Sequence, residues 1–135
     1  MKTARLSLDM ASRRYADLTD AARRFVAGER DGLLNVFVPH ATAAVAVIEL
    51  GDGSEHDLEA ALERLLPRDD ALYRHRHGSP GHGADHLVPA FLAPSVTVPV
   101  LGGSPALGVW QRIVLVDTNR DNPRRDVLLS FLEGS

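Results

Sequence analysis

Apolar runs separated by short turns constrain this chain more than any other feature of its sequence. Gly32 to Pro39 (GLLNVFVP) and Ala43 to Leu50 (AAVAVIEL) read as strands with at least one buried face, divided by a short turn. Ser95 to Leu101, Val109 to Val116 and Asp126 to Leu132 read as three closing strands, with turns at Gly102-Gly103 and Asn119 to Pro123. A parallel crossover needs about a dozen residues or more, so strands joined this tightly must pair antiparallel. Thr3 to Leu8 (TARLSL) alternates polar and apolar residues and predicts a half-buried strand near the start.

Two helical patterns interrupt the strands. Asp17 to Ala27 carries Leu18, Ala21, Ala22, Phe25 and Val26 at helical spacing, with Asp17 or Thr19 as cap and Gly28 as terminator. The second opens at Ser54 or Glu55 and runs through Leu66, where Pro67 stops it. Residues 68 to 85 show no apolar period and read as a long loop, followed by a short helical turn from Asp85 to Leu92. The prediction is one α+β domain over residues 1–135, not a doubly wound one.

A chain of 135 residues buries roughly two thirds of its unfolded surface, enough for a core without covalent or metal staples. It has no cysteine, which excludes disulfides, thiolate zinc sites, iron-sulfur clusters and a cysteine nucleophile. Any metal must therefore be held by His, Asp or Glu. The net charge of -3 argues against a general nucleic-acid binder. No apolar run approaches the ~20 residues of a bilayer span, and residues 1–15 lack the apolar core of a signal peptide, so a cytoplasmic protein is expected. Of 15 basic residues only Lys2 is a lysine, a cation set suited to bidentate contacts with carboxylate or phosphate.

No Walker loop, GxGxxG, GxSxG elbow or HExxH occurs, so chemistry must rest on a looser constellation. His75, His77, His82 and His86 fall within twelve residues. Neutral imidazoles are the commonest metal ligands and move protons near pH 7, although a solvated polar loop reads equally well from spacing alone. His82 and His86 have i, i+4 spacing, but Gly81 and Gly83 argue against a helix there. His40 follows Pro39 at a strand end and reads equally as a hydrogen-bonded corner. Glu49 nearly ends an otherwise apolar run and must be either exposed or paired, because an unpaired buried carboxylate is costly. Trp110 beside Gln111 reads as a core tryptophan with a rim amide. In the segment 117–126, Arg124 and Arg125 could bind phosphate, although a solvated turn is the commoner reading.

In order along the chain stand His40-Ala41-Thr42-Ala43, Ile48-Glu49, Asp57-Leu58, Tyr73-Arg74-His75, Asp85-His86-Leu87, the run Ser95 to Val100, Gly108-Val109-Trp110-Gln111 and Pro123-Arg124-Arg125. Together these resemble the YjbQ-like family, also named secondary thiamine-phosphate synthases, over roughly Leu8 to Glu133. The resemblance implies a compact sandwich of mainly antiparallel strands with two main helices, assembled as a homotrimer. It also implies a divalent metal, zinc or magnesium, held by His40, His75 and His86, with Glu49 and Gln111 in the catalytic site. Arg74, Arg124 and Arg125 are the candidates for anion contacts. Ala41, Ile48 and Val109 depart from the family's usual Thr or Ser, Asn and Thr.

The activity this implies joins an aminopyrimidine methyl diphosphate to a thiazole phosphate. Two rivals use the same residues: a metal-dependent hydrolase of a phosphorylated substrate in which Glu49 shuttles a proton, and a non-catalytic trimeric module binding a small anion or metal. All three expect a small ligand and neither nucleic acid nor membrane.

Overall fold

A computed structural model describes every residue except Ser12 and His77. In chain order the elements are β1 (Lys2–Asp9), β2 (Tyr15–Asp17), α1 (Thr19–Val26), β3 (Gly32–Phe37), β4 (Ala43–Ile48) and α2 (Ser54–Leu65). A 3-10 turn (Asp70–Leu72), α3 (His82–Asp85), α4 (Val88–Phe91), β5 (Ser95–Leu101), β6 (Ser104–Pro105), β7 (Arg112–Asp117) and β8 (Arg124–Glu133) complete them. The strands form two sheets, β1-β8-β3-β5-β6 and β2-β7-β4, and every pairing is antiparallel. The expected α+β architecture is present. None of the described helices is long and apolar enough to cross a membrane.

Side-chain parity explains how the sheets stack. Leu34 and Val36 of β3, Val98 and Val100 of β5, and Val127, Leu129 and Phe131 of β8 turn inward and meet Val45 of β4 with Ile113 and Leu115 of β7. On the opposite face of the small sheet, Val114 and Val116 pack against Leu62 of α2. Strands β4 and β7 are thus covered on both sides, by the large sheet and by α2, which is why their sequences are almost unbroken apolar runs. Helix α1 adds Ala22 and Val26 to the core between the sheets. At roughly 1.5–3 kcal/mol per fully buried Val, Leu, Ile or Phe side chain, this two-sided burial is the main stabilising term.

The start of β7 differs from expectation, and two short strands are additional to it. Residues 109–111 precede β7 in a turn, closed by Gln111 N–H to the Gly108 carbonyl at 3.1 Å and by Gly108 N–H to Gln111 Oε1 at 2.8 Å. Trp110 at the tip of that turn is 72% exposed, so the core tryptophan expected there is corrected. Strands β2 and β6, of three and two residues, are too short to show a period in sequence.

The same parity that buries Val127 and Leu129 also sends Arg125 of β8 inward, toward Asp117, the last residue of β7. Arg125 Nε donates to Asp117 Oδ2 at 2.6 Å, and Nη2 to Asp117 Oδ1 at 3.1 Å and to Thr42 Oγ1 at 3.0 Å. The pair joins one sheet to the other with side chains only 3% and 1% exposed. Removing one member of such a pair strands the other charge. Asp117→Ala is therefore expected to lower the unfolding free energy by about 3–5 kcal/mol, read from urea denaturation. A loss below about 1 kcal/mol, the scale of a surface pair, would contradict this account.

Candidate functional site

Among the described residues, one group could hold a metal: His75, His82 and His86, whose ligating atoms all lie within 4.8 Å of one another. His82 opens α3 and His86 follows its last residue, with His86 N–H donating to the His82 carbonyl at 3.3 Å. The helical turn that the glycines were expected to prevent therefore exists, and the i, i+4 spacing brings the two imidazoles together. Gly81 caps the turn at φ +89. Gly83 allows a close approach, since a Cβ there would lie 2.7 Å from the His75 carbonyl oxygen and 2.9 Å from Tyr73 Cβ.

The rings of His75 and His86 lie 4.1 Å apart between centroids, and those of His82 and His86 4.5 Å. His82 Nδ1 faces a carboxylate oxygen of Asp121 at 2.9 Å. A carboxylate at that distance requires a proton on Nδ1, so His82 donates to Asp121 and turns the lone pair of Nε2 toward His86, and the Asn119 amide nitrogen at 2.9 Å from Nδ1 stands beside it without a bond. The two Nε2 atoms are 2.8 Å apart, a hydrogen bond in which His86 is the donor if Nε2 of His82 is bare. Asp121 is held in turn by the Ser79 N–H at 3.1 Å, and this bond first, then the neighbouring His82, keeps its carboxyl below the ordinary carboxylate range.

Beneath the histidines lies Asp85, fully buried. It accepts from the Arg68 guanidinium, from Thr118 Oγ1 at 2.7 Å and from Asn119 Nδ2 at 3.2 Å. These bonds fasten α3 to the segment after β7, so the histidine turn and Asp121 cannot drift apart. Asn119, Asp121 and Arg68 were not singled out from sequence, and Asp85 entered only as the residue before His86 in the resemblance. Their role depends on contacts between residues 17 to 42 positions apart, which no local pattern reveals.

The other anticipated residues lie elsewhere. His40 is not in the group: its Nε2 accepts the Asp126 N–H at 2.8 Å, beside Arg125. Glu49 is exposed just beyond β4, the first of the two alternatives it posed. Gln111 is exposed and closes its own turn. Arg125 is buried on Asp117, which corrects its reading as an anion contact. Arg124 is exposed with Nη2 on Ser7 Oγ at 3.2 Å, and Arg74 is exposed. His77 lies outside the described residues.

Three imidazoles without thiolate or carboxylate form a donor set suited to zinc and similar ions more than to magnesium. Tetrahedral zinc with Zn–N of about 2.0–2.1 Å places its nitrogens about 3.3 Å apart. The His82–His86 contact of 2.8 Å is close to that spacing and all three ligating atoms lie within 4.8 Å, so the donor set suits such an ion once the rings turn to even their separations.

A family model described as UPF0047 protein YjbQ-like matches residues 4–134. A UPF0047 protein of Mycobacterium tuberculosis is 68% identical over 134 residues, covering 99% of this chain and 100% of that relative. One of Archaeoglobus fulgidus is 36% identical over 125 residues, covering 91% and 96%. Among solved structures, a hypothetical protein of Aeropyrum pernix K1 superposes with a TM-score of 0.86 at 32% identity, covering 99% of this chain and 100% of that one. A protein of unknown function from Sulfolobus solfataricus shares the fold at a TM-score of 0.85 and 23% identity, covering 98% and 97%.

Burial first, and then the charge of Arg125, push the His40 imidazole below its ordinary 6.5. A histidine kept neutral in the fold but protonated when unfolded makes stability fall with pH, starting near the ordinary value and ending at the lower, folded one. Unfolding free energy is thus expected to drop as the pH falls through the ordinary histidine value of 6.5 toward the lower folded one, and to drop less in His40→Gln. Equal drops in urea titrations of the two proteins would remove this assignment.

Proposed function

The chain belongs to the UPF0047 YjbQ-like family, and from that membership we propose that it is a divalent-metal-dependent enzyme acting on small phosphorylated substrates. The reaction we infer is the thiamine-phosphate-synthase-like transfer, joining an aminopyrimidine methyl diphosphate to a thiazole phosphate with loss of diphosphate. The observation that carries the reading is the convergence of His75, His82 and His86 within 4.8 Å. A divalent cation there would supply positive charge to stabilise the negative charge of a leaving diphosphate. The chain's own part is to aim the ligands. Asp121 fixes the tautomer of His82, the turn of α3 sets His86 beside it, and Asp85 anchors that turn.

The resemblance also favours a homotrimer, and exposed apolar side chains on the outer face of the large sheet support it: Leu33 and Phe37 of β3, Leu101 of β5 and Leu132 of β8. Light scattering should then give three times the 14.6 kDa chain mass. A clean monomer would remove the trimer.

Zinc titrated into purified protein should bind at one equivalent per chain, with affinity lowered at least tenfold in His75→Ala, His82→Ala and His86→Ala and unchanged in His40→Ala. Absence of zinc binding, or equal affinity in every variant, would end the metal reading. Incubation with the pyrimidine diphosphate, the thiazole phosphate and zinc or magnesium should yield thiamine phosphate, and His86→Ala should abolish it. Release of diphosphate without the thiazole partner would put the hydrolase ahead. Ligand binding without turnover would favour the non-catalytic module.

A further inference from the structure

A second feature of the 117–123 turn points away from the histidines. Between this turn and the β1–β2 connection lies a half-open cleft of 430 Å³, lined by Arg13, Arg14, Arg120, Asp117, Thr118 and Asn119 among others. That volume is within the range of about 300–1,000 Å³ of small-molecule sites. Its two walls are tied together: Met10 N–H donates to the Pro123 carbonyl at 2.6 Å, and Asp117 N–H to the Arg14 carbonyl at 2.9 Å. The cleft is therefore pre-formed.

Three arginines line this space, and the one carboxylate on its described wall, Asp117, is already neutralised by Arg125. Arg14 is steadied by Glu59 at 3.0 Å, and Arg13 donates from Nη2 to the Asp9 carbonyl at 3.0 Å. Arg120 has no hydrogen-bond or ion-pair partner among the described residues and is exposed. The other cavities lack this balance. The one between α2 and α3 offers only 20 Å³, about one water. The open one at the chain's end holds Glu29 and Asp31, and its Arg30 is bound to Glu133 at 2.6 Å.

We propose that the cleft is a binding subsite for the phosphate or diphosphate end of a small molecule, gripped by Arg13 and Arg120, with Arg14 held in its wall by Glu59. Planar forks of N–H donors suit a multiply charged phosphate, where a single carboxylate would leave positive charge unmatched. The subsite deepens the proposed function by naming where the phosphate end would sit. Asn119 forms part of its wall and reaches His82 Nδ1 at 2.9 Å, so one side chain separates bound anion from the histidine group. It differs from the arginines expected at sequence level, Arg74, Arg124 and Arg125.

The test is calorimetric titration of inorganic pyrophosphate into the full chain stripped of metal with a chelator, so that failure of the metal centre leaves it unaffected. Saturable binding is expected, weakened at least tenfold in the double variant Arg13→Gln/Arg120→Gln and weakened by added salt. Arg24→Gln, on the exposed face of α1, controls for loss of charge alone and should bind as the parent does. Both cleft arginines are exposed, so these changes leave the core intact, which circular dichroism checks. No saturable binding, or equal affinity in the double variant, overturns the proposal. So does an equal loss in Arg24→Gln, which would mean diffuse charge attraction, or a loss in His86→Ala alone, which would put the anion at the histidines.

Discussion

The buried pair of Arg125 and Asp117 is the contact on which the rest of the molecule depends. It links the first turn of β8 in the large sheet to the last residue of β7 in the small one, and its third bond recruits Thr42 ahead of β4. A charge pair in a sandwich core is usually no more stabilising than apolar residues of like volume. What it adds is direction, since bidentate geometry allows only one relative placement of two strands. That placement also sets the site. The second oxygen of the Asp117 side chain accepts the Asn119 N–H at 3.1 Å, which starts the turn carrying Asn119 and Asp121 to His82.

From that turn the histidine group is assembled by polar bonds more than by packing. The small apolar cluster of Ala44, Leu66, Ala84 and Val88 seats α3 and α4 on the small sheet, but it leaves the azimuth of the turn open. Asp85 settles it by bonding Arg68, Thr118 and Asn119 at once. A buried carboxylate is tolerable only when every such bond is made, because losing one leaves it unsatisfied in a low-dielectric setting. The histidines are thus placed by a network whose members have few alternatives.

The strands were the most legible part of the sequence. Ser95 to Leu101 was read to the residue because β5 alternates and glycines close it, and β3, β4 and α2 were found to within two residues. The two-sided burial of β4 and β7 was visible as apolar runs, though not what covers them. Misreadings share a cause: local chemistry was judged without its distant partner. Gly81 and Gly83 were read as helix breakers, whereas the close pass of His75 requires a glycine at 83. Arg125 was read as part of a solvated turn, although its odd-numbered register with Val127, Leu129 and Phe131 already placed it inward. His82 was left out because the resemblance fell on His40 in its place, and Asp121 had no local signal at all.

The turn after β7 shows why fold and site cannot vary separately here. Asp117, Asn119 and Asp121 alternate along the chain and bond Arg125, Asp85 and His82 in turn. Arg120, between them, faces out into the cleft. A one-residue insertion would carry Asn119 and Asp121 off the partners they bond. The bonds that hold β7 to β8 would be lost in the same step. The length of this turn is therefore fixed by the ion pair at its root, by the histidines on its inner side and by the cleft on its outer side.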